Sequence, residues 1–298
     1  RFPERMKPIN IKADVDLLGE FPPIRDINLE IRRLNLAAYA PLRYVLSRKQ
    51  EAYDRKYSTE VRGGTGFFRQ VDREESLIHL LRVNILKRME SSVVAFALTV
   101  ERQLRDVEAT LRRIESQAEE LEEIDIEDID IEDPAFESLL VGRKVKVLLS
   151  DVDIVRWKQD LIEDRNRLAM LLAAARGISP ERDAKLAALR EVIADKHLRP
   201  INGNNLKVLV FTAFADTAHY LYEQLAPWAK ETLGVESALV TGTGSNKTTL
   251  TSLRRDLASI LSAFSPRSKE RPEELAGEGE IDLLIATDCI SEGQNLQD

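Results

Sequence analysis

The feature that most constrains the fold is a long stretch, from Glu74 to Glu123, that contains neither glycine nor proline. Within this stretch, apolar residues recur at alternating spacings of three and four. Residues at these spacings form a seam along one side of a helix, which packs lengthwise against another helix. The pattern predicts a single helix on the order of 60 Å or more in length. The seam consists of Leu86, Met89, Val93, Ala97, Val100, Leu104, Val107, Leu111 and Ile114. The opposite face, which we interpret as solvated, carries Arg102, Arg105, Arg112 and Arg113 among Glu101 and Glu108.

A second helix is predicted from Val145 to Arg176, where Gly177 supplies a C-terminal cap. Two long helices joined by a polar connection are expected to fold back as an antiparallel hairpin. The tip of this hairpin is the segment 119–133, EELEEIDIEDIDIED, which holds ten carboxylates and no basic residue. We interpret the segment as a solvated tip; the alternative is a phosphate mimic that occupies a nucleic-acid groove. The hairpin is also a candidate surface for a protein partner.

The net charge of −8 is concentrated in that acidic segment, and the rest of the chain carries +2. The overall acidity therefore does not exclude a nucleic-acid partner. The longest near-apolar run, residues 93–100, is far shorter than the roughly 20 residues that a membrane span requires, so no membrane partner is expected. A single cysteine, Cys289, excludes a disulfide framework and fits a cytoplasmic location. No metal site is predicted, because the three histidines are far apart in the sequence.

The pattern changes near residue 200, where we place a domain boundary. The region 1–200 holds a lead-in and a helical hairpin or protrusion over about 24–197, with further helices predicted around 24–56 and over 181–197. The region 201–298 alternates short apolar strands with helices, which predicts an α/β fold with a parallel sheet. Its predicted elements are the strands 207–212, 235–241 and 281–287 and the helices 216–228 and 249–263.

All three predicted strands end at a threonine, namely Thr212, Thr241 and Thr287. The C-terminal ends of parallel strands meet at one edge of a sheet, where open α/β folds bind ligands. Helix N-termini at the same edge add backbone N–H groups and a partial positive charge. A row of neutral donors suits a run of phosphates better than a single small ligand. The alternative is that threonine simply favours strand ends.

The segment from Gly242 to Thr248, GTGSNKT, is similar to a nucleotide-binding loop but is not one. The Walker A pattern needs a glycine directly before the lysine, and Asn246 precedes Lys247 here. We predict a loop that contacts a backbone phosphate through Lys247 and main-chain N–H groups. A plain surface loop is the alternative.

Three segments at these strand ends resemble motifs of the superfamily 2 helicases. Residues 207–218, KVLVFTAFADTA, resemble motif IV, and Thr241-Gly242 resembles the Thr-Gly step after the next strand. Residues 282–297, DLLIATDCISEGQNLQ, resemble motif V of the Swi/Snf-related, RapA-like bacterial ATPases. Residues 85–96 resemble the helical segment that such proteins carry before motif IV.

The resemblance implies a partial second RecA-like lobe, lacking motif VI, preceded by a helical protrusion, from an ATP-dependent DNA translocase or helicase. It implies that backbone phosphates are contacted by Thr212, Thr241, Gly242 and Thr287. It also implies a motif V loop that faces the nucleotide cleft and couples it to DNA. The residues of that loop are Ser291, Glu292, Gly293 and Gln294.

The chain also departs from the family pattern, because it has no Walker A sequence, no Walker B sequence and no arginine-bearing motif VI. Such motors bind ATP and Mg²⁺ between two lobes, so we expect an internal fragment that needs a first lobe and does not hydrolyse ATP alone. Motif V favours duplex DNA as the partner. Two alternatives stay open: an RNA helicase lobe, and a non-catalytic helical interaction module fused to a degenerate α/β domain.

Overall fold

The computed structural model describes residues 7–57, 59–60, 67–68, 70–116, 120–122, 145–201, 203, 205–242, 246–272, 277–287, 290 and 295–296. They belong to two compact units. The helical unit comprises Pro22–Glu90 and Phe96–Gly177, and the sheet unit comprises Arg1–Phe21, Ser91–Ala95 and Ile178–Asp298. The chain is of the mixed α/β class, as predicted. The domain boundary near residue 200 stays a prediction.

The helical unit is built mainly from five helices and two short antiparallel strand pairs. The helices are α1 (Ile24–Arg32), α2 (Ser47–Tyr57), α3 (Gln70–Ser91), α4 (Val93–Glu115) and α5 (Ile154–Arg176). Strand β1 (Thr59–Glu60) pairs with β2 (Phe67–Phe68), and β3 (Glu120–Glu122) pairs with β4 (Lys146–Leu148). In the described part of the chain, no helix is both long and apolar enough to span a membrane.

The single long helix predicted from Glu74 to Glu123 is wrong. Helix α3 ends at Ser91 and α4 begins at Val93, because the Ser92 hydroxyl accepts a hydrogen bond from the Ala95 amide at 3.1 Å. A serine that caps a new helix in this way can interrupt a helical run without glycine or proline. The seam that suggested the helix has buried members on both sides of the break, among them Met89, Val93, Val100 and Val107, while Ala97 and Leu104 are half-buried.

Two further helix predictions are wrong, one at its N-terminal end and the other in its middle. Helix α5 begins at Ile154 and not at Val145, because Asp153 caps it by accepting the Arg156 amide at 3.0 Å and the residues before it form β4. The single helix predicted around 24–56 is two helices, α1 and α2. Two short 3₁₀ turns, at Ala37–Tyr39 and Pro41–Tyr44, separate them.

Two ion pairs place helices α4 and α5 side by side in antiparallel directions. Glu101 in the first turns of α4 pairs with Arg176 at the end of α5, at 2.7 Å. Glu115 at the end of α4 pairs with Lys158 near the start of α5, at 3.3 Å. Of the acidic segment 119–133, only residues 120–122 lie among the described residues, as strand β3.

The connection between α1 and α2 is anchored by one buried carboxylate. Asp164 of α5 is fully buried and accepts the Asn35 amide at 2.6 Å and the Ala37 amide at 2.8 Å. Between these two residues, Leu36 has a left-handed backbone with φ of 52°, which a non-glycine residue seldom adopts. Nearby, Trp157 donates to the Ala37 carbonyl at 2.9 Å. Asp164 therefore holds a strained turn in place.

The sheet unit contains a four-stranded mixed sheet with helices on both faces. Its helices are α6 (Ala184–Leu198), α7 (Ala215–Leu233) and α8 (Leu257–Phe264), and its strands are β5 (Val208–Phe211), β6 (Ser237–Val240), β7 (Lys247–Thr248) and β8 (Leu283–Ala286). The strand order is β5-β8-β6-β7. The three strands predicted from the sequence are parallel, and β7 adds an antiparallel edge that the predicted parallel sheet lacks.

Alternate residues of the strands form two apolar layers. On one face, Leu284 and Val240 pack in a cluster with Ile260 and Phe264 of α8. On the other face, Leu283 and Ile285 pack in a cluster with residues of α6 and α7. The period of two along each strand therefore assigns alternate apolar side chains of β5, β6 and β8 to the two helical layers.

Helix α6 begins three residues later than the predicted start at 181, because Asp183 is its cap and accepts the amides of Lys185 and Leu186 at 3.0 Å. The lead-in is attached just before this helix. Asp16 accepts Arg182 Nε at 3.0 Å and also accepts the amides of Leu18, Glu20 and Phe21. An ion pair and three backbone bonds thus converge on one carboxylate.

Candidate nucleic-acid interface

The three strand-end threonines lie side by side at one edge of the sheet. Strand β8 runs between β5 and β6, and Ala286 is in register with both Phe211 and Val240. The ladder continues one residue further, because the Thr212 amide donates to the Ala286 carbonyl at 3.0 Å and the Thr287 amide to the Val240 carbonyl at 3.2 Å. The order across the edge is therefore Thr212, Thr287 and Thr241, which we call the threonine row.

Side-chain alternation assigns the whole row to one face of the sheet. Val210, Leu239 and Ile285 belong to the apolar layer that includes α7, and each lies two positions before a threonine of the row. Because strand side chains alternate with a period of two, the threonines share that face. The contacts of Thr212 agree, since its Oγ1 lies 3.5 Å from the amide of Phe214, which directly precedes α7.

The N-terminus of α7 lies at the same edge, because the helix begins at Ala215, three residues after Thr212. The residue before the helix, Phe214, makes no side-chain cap. The first N–H groups of a helix carry a partial positive charge and are a common place for an anion. This edge thus combines a helix N-terminus with a row of hydroxyls.

The three hydroxyls differ in their surroundings. Thr241 is 6 % exposed, and its Oγ1 has no hydrogen-bond partner within the described residues. Thr287 is buried, Thr212 is half-buried, and Gly242 is exposed. A buried hydroxyl without a partner costs free energy that a bound acceptor would recover. Thr241 is therefore the member of the row with an unused hydrogen-bonding group.

A hydroxyl cluster that the sequence analysis missed adjoins Thr212. Ser91 Oγ lies 3.3 Å from Thr212 Oγ1 and 2.8 Å from Thr217 Oγ1, and Ser92 Oγ lies 2.9 Å from Thr217 Oγ1. The one signal available in the sequence was the Ser-Ser pair inside an otherwise apolar and charged helical run. The cluster connects the break between α3 and α4 to the threonine row.

The loop predicted around Lys247 is wrong at that residue. Lys247 lies in the edge strand β7, paired with Leu239, which is two residues before Thr241 in β6. Its Nζ is 3.9 Å from Glu223 Oε1 of α7. The ammonium group therefore faces a carboxylate, and the backbone of Lys247 lies about 7 Å back from the row along the strand. The motif V residues Ser291, Glu292, Gly293 and Gln294 lie outside the described residues.

None of the family models, curated proteins or solved structures compared with this chain matches it. Within the described residues, no three histidine, cysteine, aspartate or glutamate side chains come together as a metal site would require. The support for the candidate interface therefore comes from the geometry of the threonine row and from the resemblance of the sequence to helicase motifs.

Proposed function

We propose that the sheet unit binds the sugar-phosphate backbone of a nucleic acid along the threonine row. The observation that carries the proposal is the in-register alignment of Thr212, Thr287 and Thr241 on one sheet face, beside the N-terminus of α7. Threonine hydroxyls, main-chain amides and helix N-termini are among the usual partners of backbone phosphates. Neighbouring strands are about 4.8 Å apart, so the row extends about 10 Å.

The finer part of the proposal is that this sheet is a RecA-like second lobe of an ATP-dependent DNA translocase. Support comes from the motif IV-like and motif V-like sequences, which contain the strands β5 and β8 that end at the row. ATP and Mg²⁺ would bind between this lobe and a first lobe, with Ser291 to Gln294 coupling the nucleotide to the backbone. Hydroxyl contacts to phosphate do not distinguish DNA from RNA, and motif V is the reason for favouring duplex DNA.

The first experiment is nucleic-acid binding by the chain with Thr241→Val, measured by fluorescence anisotropy with duplex DNA, single-stranded DNA and single-stranded RNA. Valine keeps the shape and removes only the unpaired hydroxyl. A hydrogen bond to a charged group is worth about 1.5–3 kcal/mol, so binding should weaken about tenfold or more. The control is Thr251→Val, at an exposed threonine away from the strand ends. Equal affinities for the wild type and Thr241→Val would contradict the proposal.

A second readout is ATP hydrolysis by a polypeptide that joins this chain to an ATP-binding first lobe. Stimulation by duplex DNA that is lost in Thr287→Ala would support a DNA motor. Stimulation by RNA alone would favour the RNA helicase lobe instead.

The second candidate function is a helical interaction module. It is favoured by an exposed uncharged face on α5, where Val155 is 79 % exposed and Ile162 and Met170 lie further along the helix. If no nucleic acid binds the chain and none stimulates ATP hydrolysis, the helical interaction module becomes the preferred function in place of nucleic-acid binding.

A further inference from the structure

The hydroxyl cluster beside Thr212 is a continuous series of hydrogen bonds within the sheet unit. It begins at the Ala95 amide, which donates to Ser92 Oγ at 3.1 Å. Ser92 Oγ lies 2.9 Å from Thr217 Oγ1, which in turn lies 2.8 Å from Ser91 Oγ. The last step joins Ser91 Oγ to Thr212 Oγ1 at 3.3 Å. The series therefore connects a backbone amide to the first member of the threonine row.

The direction of these hydrogen bonds follows from counting protons. A hydroxyl group donates one proton and can accept two, whereas an amide N–H only donates. Ser92 and Thr217 are 4 % and 3 % exposed, so a proton of either that lacked an acceptor would be buried at a cost in free energy. Among the residues that the structure describes, Thr217 Oγ1 is the one acceptor within reach of the Ser92 hydroxyl. Ser92 therefore donates to Thr217, and Thr217 donates to Ser91.

The same count makes Thr212 a donor toward a ligand. Ser91 accepts from Thr217, so its own proton goes to Thr212 Oγ1, which also lies 3.5 Å from a second donor, the Phe214 amide. In the described part of the chain, the hydroxyl proton of Thr212 is then the one proton of the series without an acceptor. Phosphate oxygens accept hydrogen bonds and donate none, so a donor fixed in this way suits a nucleic-acid backbone.

We propose that Ser91 is a positioning residue, which fixes the Thr212 hydroxyl as a hydrogen-bond donor to a backbone phosphate. Thr217 and Ser92 support this role, because they set the direction of the series that ends at Thr212. A hydroxyl that is oriented before binding loses less conformational freedom when the ligand arrives. The proposal rests on the function proposed for the threonine row, and it assigns Ser91 an effect on binding that acts through Thr212.

The test is a double-mutant cycle on duplex DNA binding by the whole chain, measured by fluorescence anisotropy. The cycle compares the wild type, Ser91→Ala, Thr212→Val and the double variant. Loss of a neutral hydrogen bond that orients the donor should weaken binding about 3- to 10-fold in Ser91→Ala. In the Thr212→Val background, Ser91→Ala should cause no further loss of affinity, because the two residues act as one unit. A general defect in folding would instead weaken binding equally in both backgrounds.

Three further variants separate positioning from packing. Ser91→Thr keeps the hydroxyl and should bind duplex DNA as the wild type does. Thr217→Val should also weaken binding, because the Ser91 oxygen can then accept the proton of Thr212. The matched control is Ser76→Ala, which removes an exposed serine hydroxyl from the same helix, α3, and should leave the affinity unchanged.

Equal losses from Ser91→Ala in the two backgrounds would overturn the inference, as would a Ser91→Thr variant that binds as weakly as Ser91→Ala. These outcomes differ from a failure of the proposed function. If Thr241→Val weakens binding and Ser91→Ala does not, the threonine row keeps its function and Ser91 has no positioning role. If neither change weakens binding, both proposals fail.

Discussion

Asp16 of the sheet unit and Asp164 of the helical unit are buried aspartates that each hold a loop by its backbone amides, and they differ in the charge beside them. Asp16 of the sheet unit is paired with Arg182, and this contact together with the backbone bonds holds the pKa of its carboxyl far below the usual value. Asp164 of the helical unit accepts two amides but forms no ion pair within the described residues, and burial raises its pKa to about 6. The two backbone hydrogen bonds of Asp164 do not compensate its carboxylate for desolvation, so its pKa is raised. At Asp16 the Arg182 guanidinium adds to the backbone bonds, and together they stabilise the ionised carboxylate.

This difference gives the units opposite responses to pH. The pKa of Asp164 lies above its unfolded value of 3.8, so its contribution to stability is complete below about pH 4 and is lost as the pH rises through 6. Raising the pKa of Asp164 from 3.8 to about 6 corresponds to about 3 kcal/mol of stability. The pKa of Asp16 is lowered, so its contribution is complete above about pH 4 and is lost as the pH falls further.

The largest effect is expected from Asp164→Ala, which removes the acceptor for the amides of Asn35 and Ala37. An unpaired buried donor costs about 1–3 kcal/mol, and losing the buried charge offsets part of this at neutral pH. The free energy of unfolding should fall by about 2–4 kcal/mol at pH 5, where a pKa of about 6 keeps the buried carboxyl mostly protonated. Urea denaturation followed by the fluorescence of Trp157 measures it. A variant as stable as the wild type at pH 5 would show that the turn does not depend on this carboxylate.

Asp164→Asn separates the two roles of the carboxyl group. The amide keeps an acceptor oxygen but cannot ionise, so stability should fall less than with alanine. The decrease in stability that we expect of the wild type between pH 4 and 6 should disappear. If the wild type and the asparagine variant keep parallel profiles over this range, Asp164 does not have the raised pKa.

A smaller effect is expected from Arg182→Met, which removes the cation beside Asp16 but leaves its three amide bonds. The pKa of Asp16 should rise toward its ordinary value, so acid unfolding of the sheet unit should begin at a higher pH. Trp228 of α7 reports this unit. The matched control is Arg199→Met, which breaks the exposed pair with Asp195 and should change little. If the pH midpoint of acid unfolding is the same in Arg182→Met and the wild type, the ion pair is not what lowers the pKa of Asp16.

The sequence predicts the parts of the fold and of the candidate site that depend on local sequence patterns. The three parallel strands and their terminal threonines were visible, because apolar runs and strand ends are local signals. The insertion of β8 between β5 and β6 was not visible, since strand order is a tertiary property. Neither aspartate could be identified either, because Asp164 holds amides 127 and 129 residues away and Asp16 pairs with a residue 166 positions away. The helix break at Ser92 was missed because the apolar pattern of a helix continues on both sides of this residue, and one capping hydrogen bond is enough to interrupt it.

The smallest effect is expected from Ser92→Ala, and it tests whether a neutral group can hold the break between two helices without any pH dependence. The hydroxyl caps α4 through the Ala95 amide and also contacts Thr217, so its loss should cost about 1 kcal/mol. Because no ionisable group takes part, the loss should be constant from pH 4 to 8, unlike the losses at the two aspartates. Ser91→Ala is the control, since Ser91 contacts Thr212 and Thr217 but caps no helix. If both serine variants lose the same stability, the hydroxyl cluster and not the cap holds the break between α3 and α4.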